Sequence, residues 1–157
     1  MVRLSTPNEK VTSKCRIVGI RMALLTLRMR EHWAQLFGGD EEALIGLAIV
    51  ATVSERLLRR KIEPDLESLE KPMPLEELST CNITSIAAAT GLNRETARRK
   101  VNALVERGLL IKDKGAVSLA PGFTQQELAC ATVRSQVDEL RRAVNDLIRA
   151  GVVEVEC

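Results

Sequence analysis

Aromatic side chains are nearly missing from this chain of 157 residues, which holds one Trp, two Phe and no Tyr. Trp33, Phe37 and Phe123 cannot supply the repeated stacking platforms that grip single-stranded nucleic acid, so that class of binding is excluded. Histidine occurs once, at His32, and no glycine-rich phosphate loop or paired acids in a recognisable setting accompany it. Little catalytic chemistry can be assigned on that inventory, and an enzyme is not expected. The four cysteines, Cys15, Cys81, Cys130 and Cys157, are scattered without metal-ligand spacing, so neither a metal site nor a cofactor is expected. Cys130 reads as a small apolar residue on a helix. No secretion signal is visible at the N-terminus, which predicts reduced thiols and a cytoplasmic protein. The longest apolar run, Ala43 to Val53, falls short of the about 20 residues that a bilayer crossing needs, so no membrane partner is expected.

What is present is an ordered, strongly helical pattern. The chain is 45% hydrophobic, enough for one good core, or for a small domain with dimerisation helices. Net charge is only +2, but it is unevenly spread. Residues 1–61 carry 11 Lys+Arg against 6 Asp+Glu, and residues 62–81 carry 1 against 6. Residues 82–119 carry 7 against 3, and residues 120–157 carry 4 against 6. A basic segment therefore stands between two acidic ones, as suits a localised face for a polyanion.

Within that basic segment, Asn82 to Val101 reads as two short helices joined by a glycine turn. Asn82 can cap the first helix with its side-chain oxygen. Gly91 stands where a helix must end with positive φ, and Leu92 plugs the corner. Asn93 then caps a second helix over Arg94 to Arg107. Its apolar residues, Ala97, Val101, Leu104 and Val105, share one face of a 3.6-residue period. Glu95, Arg99, Asn102 and Glu106 point away from that face, with Arg98 on one flank and Thr96, Lys100 and Arg107 on the other. Such an outer face can enter a major groove near its N-terminal half, where arginine can bond guanine O6 and N7 together. Arg94, Glu95, Thr96 and Arg99 are the candidates for base contact. Asn93, Arg98, Lys100 and Arg107 are the candidates for backbone contact, which positions without specifying. Asn102 could read adenine but sits far along the helix.

In Ser85-Ile86-Ala87, Thr90-Gly91-Leu92, Thr96-Ala97-Arg98-Arg99 and Leu104-Val105-Glu106-Arg107-Gly108-Leu109-Leu110, the chain resembles the winged helix-turn-helix domain of bacterial transcription regulators. The likeness covers about a quarter of the chain, Asn82 to Gly122, and its nearest layout is MarR-like, a winged domain flanked by dimerisation helices. It implies a mainly α fold with a short two-stranded β-wing over Leu109–Lys112 and Ala116–Leu119, turning at Asp113-Lys114-Gly115. Lys112 and Lys114 would then be wing cations facing the DNA backbone. The domain plan is an N-terminal arm and helix at 1–40, a winged domain at 41–122 with the acidic connection 62–81, and a C-terminal helix at 123–157.

The flanks fit that plan. Residues 1–10 read as irregular, and a helix is predicted from Val11 to Phe37, stopped by Gly38-Gly39. It carries two apolar stripes, Val18, Met22, Leu25 and Met29 beside Ile17, Ile20, Leu24 and Leu27, a pattern for a helix between partners. Asp40 is read as the cap of a buried helix from Glu41 to about Lys61, with acids in its first turn and Arg59-Arg60-Lys61 at its end. A short helix is predicted near Leu75 to Leu78. Thr124-Gln125-Gln126-Glu127 reads as a capping box opening the last helix, and Gly151 closes it. Cys130, Val133, Val137, Leu140, Val144 and Leu147 make a heptad seam, read as a homodimer contact with packing on the same chain as the alternative. The resulting expectation is a dimeric, sequence-specific regulator of transcription that binds double-stranded DNA. The resemblance leaves room for a small-molecule effector of unknown chemistry. The alternative is a winged helix serving as a protein–protein interaction module without DNA binding.

Overall fold

The computed structural model describes residues 3–59, 63–67, 71–74 and 77–156, with the side chains of residues 56–58 left out. The chain is mainly helical and forms two compact units, Met1–His32 with Val133–Cys157, and Trp33–Thr132. That grouping differs from the three segments drawn at 1–40, 41–122 and 123–157.

The first unit pairs strand β1, Arg3–Ser5, antiparallel with strand β4, Glu154–Glu156. Helix α1 spans Asn8–Ser13, and the long helix α2 begins at Cys15 and runs to Phe37. Residues 1–10 are thus not irregular where described. Nor is there one helix from Val11, because the chain breaks between helices at Lys14. The reason is distant in sequence: Lys14 donates to the carbonyl of Ala150, and Lys10 pairs with Glu154, so the N-terminal arm is fixed by the C-terminus. Helix α6, Glu127–Arg149, belongs to this unit from Val133 on and runs antiparallel to α2 there. Arg21 reaches Asp146 at 2.5 Å, and Arg28, seven residues on, reaches Glu139 at 2.9 Å, seven residues back. Arg28, foremost, and the charges of Arg142 and His32 hold the Glu139 carboxyl below its ordinary range against some desolvation. Val18, Met22, Leu25 and Met29 are half-buried, whereas the second stripe on α2, Ile17, Ile20, Leu24 and Leu27, is exposed. On α6, Val133, Val137 and Leu140 of the heptad seam are exposed too.

The second unit holds the main core. Helix α3, Asp40–Arg59, buries Ala43, Ile45, Ile49 and Val53, in line with the buried helix read there. Asp40 opens that helix as its first residue. Arg60 and Lys61 lie outside the described residues, as do Leu75 and Glu76 of the short helix read at 75–78. Helix α4, Ile83–Thr90, and helix α5, Arg94–Glu106, follow, then the antiparallel hairpin of β2, Leu110–Asp113, and β3, Ala116–Leu119. Its loop is Lys114 at φ +45° and Gly115 at φ +87°. Two consecutive residues with positive φ make the turn whose twist matches that of the strands. The three aromatic residues collect in this core: Phe37 stacks on Trp33 at 6.0 Å and on Phe123 at 5.6 Å between centroids. Phe123 belongs to a 3-10 turn over Phe123–Gln125, so α6 starts at Glu127 and the capping box read at Thr124 to Glu127 does not form. Burial of Phe123 decides this, because the ring's place in the core holds Thr124 inside the preceding turn.

Candidate nucleic-acid interface

The region from α4 to the hairpin is set by local chemistry that can be followed residue by residue. The Asn82 side chain accepts the Ser85 amide at 2.9 Å and starts α4. Gly91 ends α4 at φ +70°, a left-handed conformation that would strain a residue with a Cβ. Two residues later the Asn93 side chain accepts the Glu95 amide at 2.8 Å and starts α5. Ala97, Val101 and Leu104 are wholly buried, so the predicted inner face of α5 is its docked face.

The start of α4 is also tied to the hairpin. The Cys81 amide donates to the Val117 carbonyl at 3.0 Å, and the Val117 amide donates back at 2.7 Å. Cys81 thus adds one bridge to the edge of β3 and brings the first turn of α4 beside the hairpin. Its thiol is buried, and desolvation pushes its pKa up, which makes it a poor nucleophile.

Between these elements lies a groove. The start of α5 lines it with Arg94 and Arg98, and the hairpin lines it with Lys112 and Lys114. Thr80, Thr84 and Ser85 add hydroxyls, and Thr52 reaches it from α3. No aspartate or glutamate is among these lining residues. The first turn of α4, from Ile83 to Ser85, lines the same groove, and a helix N-terminus carries partial positive charge. Concave, cationic and rich in hydroxyl and amide donors, the groove has the chemistry to hold oxyanions such as phosphates.

The predicted site residues separate into groups. Arg94, Arg98, Lys112 and Lys114 come together in the groove. Arg99 and Glu95 are exposed on α5 and Thr96 is half-buried, and none of the three lines the groove. The Asn93 oxygen is engaged in capping. Asn102 is half-buried, with its oxygen accepting from Lys112 at 3.2 Å. Lys100 and Arg107 are held inside their own unit. Lys100 donates to Glu42 at 2.7 Å and pairs with Glu41 at 3.1 Å, so the start of α3 takes the charge that was read as a backbone contact. Its hydrogen bonds to Glu42 and then Glu41 raise the ammonium pKa. Burial pushes the Glu42 carboxyl up, but the Lys100 bond, a backbone hydrogen bond and the charges of Lys100 and Arg107 outweigh it and hold the carboxyl low. Arg107 donates to the Phe37 carbonyl and lies over Gly38.

Thr52, Thr80 and Thr84 were not singled out from the sequence. The polar run Ser79-Thr80-Cys81-Asn82 ahead of α4 was the one signal that could have found part of this set. No family model matches the chain, and comparison with characterised proteins and with solved structures finds no match.

Proposed function

We propose that residues 41–122 hold a winged helix-turn-helix domain that binds double-stranded DNA, with α5 in the major groove and the hairpin as the wing. The convergence of Arg94, Arg98, Lys112 and Lys114 on one acid-free groove beside the N-terminus of α4 carries this reading. A duplex backbone laid along the groove would meet cations from two elements and amides from a third, which fixes register without reading sequence. Arg99, exposed on the outer side of α5, would then stand at the base edges. Lys100 and Arg107 have no place at the DNA in this arrangement; they seat α5 on the rest of its unit.

The protein acts as a homodimeric regulator of transcription on this reading. A second copy would cover the exposed stripes of α2 and α6. Ile17, Ile20, Leu24 and Leu27 on α2, and Val133, Val137 and Leu140 on α6, are large apolar residues each close to half exposed or more. Both sets run at alternating spacings of three and four, the period of a helix–helix seam. Large apolar side chains repeated along two helices and left open to water are the mark of a surface that a partner covers.

The test is binding of labelled duplexes across a salt series. Each phosphate contact removed should flatten the log–log salt slope by about 0.9. Arg98→Ala and Lys112→Ala should each do so, and Lys112→Ala should weaken binding to all sequences alike. Arg99→Ala should leave the slope near the parent's and relax sequence preference. Duplex binding without salt dependence, or variants that bind like the parent, would sink the assignment.

A further inference from the structure

Glu95 is the one acid on the exposed N-terminal half of α5, and it stands among Arg94, Arg98 and Arg99. An acid in a first helical turn suits the helix dipole. The dipole does not explain how this carboxylate is held. Arg98 grips it as a fork, with Nε donating to Oε2 at 2.9 Å and Nη2 donating to Oε1 at 2.5 Å. A carboxylate offers about four acceptor positions on its two oxygens, so the fork occupies roughly half of them. The remainder face outward on a side chain that is 70% exposed. The guanidinium also offsets the negative charge, which lets the carboxylate approach a phosphate-lined groove with less repulsion. The third guanidinium nitrogen of Arg98, Nη1, stays available to the cationic groove.

Base edges differ in what they can give such a group. Guanine and thymine present acceptors in the major groove, which a carboxylate repels. Adenine sets an acceptor beside its amino donor, whereas cytosine presents the 4-amino donor alone. Resting on the reading of α5 as the major-groove helix, we propose that Glu95, its charge offset by Arg98, accepts from the cytosine 4-amino group and specifies one C·G pair in each half-site.

The experiment selects duplexes from a random pool with the 157-residue parent, Glu95→Ala and Glu95→Gln, then measures binding to single-position variants of the selected duplex. The side chain is exposed, and circular dichroism checks that each variant keeps the parent's helix content. The parent should favour cytosine at one position of each half-site by about tenfold, a factor within the range of a specific base contact. Glu95→Ala should flatten that position alone and tighten binding to random duplex at low salt, since an anion is gone. Glu95→Gln should pass the preference to adenine, which a carboxamide matches with both donor and acceptor. If the parent selects a half-site and both variants keep its cytosine preference, Glu95 does not read that base. If the parent itself selects nothing and binds duplex without salt dependence, the DNA reading falls and this assignment with it.

Discussion

Gly46 lies on α3 against the Phe37 ring, and a Cβ at this position would fall inside the van der Waals surface of three ring carbons. The ring cannot yield, because it is fully buried and stacked on both Trp33 and Phe123. Gly46→Ala should gain about 1 kcal/mol of helix propensity and lose more than that to overpacking, which costs about 1–3 kcal/mol. The expected result is a net loss near the upper end of that difference, read as a lower denaturant midpoint with an unchanged slope. Gly91 is constrained differently. Nothing lies within 4 Å of a Cβ built there, but φ is +70°. Gly91→Ala should cost about 1 kcal/mol through backbone conformation alone. A Gly46 variant as stable as the parent would show that the aromatic cluster is looser than its geometry implies. One of these two glycines was legible in the sequence. Gly91 follows a capped apolar helix and precedes a second cap, so local pattern identifies it. Gly46 sits in a featureless apolar run, and only the ring from another helix gives it meaning.

At the scale of the element, α5 is seated by polar contacts as well as by Ala97, Val101 and Leu104. Lys100 and Glu42 join it to the start of α3, and both side chains are mostly covered, at 22% and 17% exposure. Glu42 titrates below the ordinary carboxylate range in the folded chain, so this contact stabilises at neutral pH and is lost as pH falls through the lowered value. Unfolding in denaturant, followed from pH 7 to pH 3, should show a falling acid limb. Glu42→Gln should shrink that fall and lower stability at pH 7 by of order 1 kcal/mol, with Glu41 still beside the lysine. An identical acid limb in the variant would remove Glu42 from the account. The same pair shows where reading the sequence stopped. Periodicity gives the angle of each side chain around α5, so the buried face and the outward face were both legible. It does not say which neighbour lies at a flank, and Glu42, the nearer of the acids that take Lys100, is 58 residues away. The hairpin was legible because its turn residues are local. The pairing of Arg3–Ser5 with Glu154–Glu156 was not, since two three-residue strands at opposite ends of the chain carry no local signal.

For the whole molecule the decisive question is what covers the two apolar seams. Val137 is 60% exposed and Leu27 58%, so neither is needed to hold its own unit together. Aspartate at either position should therefore leave helix content and the cooperative unfolding of the isolated chain unchanged. In a dimer the same substitution puts a charge into an apolar contact, where it costs several kcal/mol across two symmetric copies. Sedimentation should find the parent at twice the chain mass of 17.3 kDa, and Val137→Asp or Leu27→Asp near the single mass. The consequence for DNA follows from the proposed pairing of two reading helices. Paired reading helices meet half-sites about one helical turn apart, ~34 Å, and binding both at once multiplies affinity. The monomeric variants should keep the parent's affinity for an isolated half-site and lose its advantage on the paired site. They should also become indifferent to spacing, since each copy then binds alone. A parent that sediments as a monomer at micromolar concentration, or variants that stay dimeric, would assign these seams to something other than a second copy. The groove of Arg94, Arg98, Lys112 and Lys114 would then have to account for DNA binding one domain at a time.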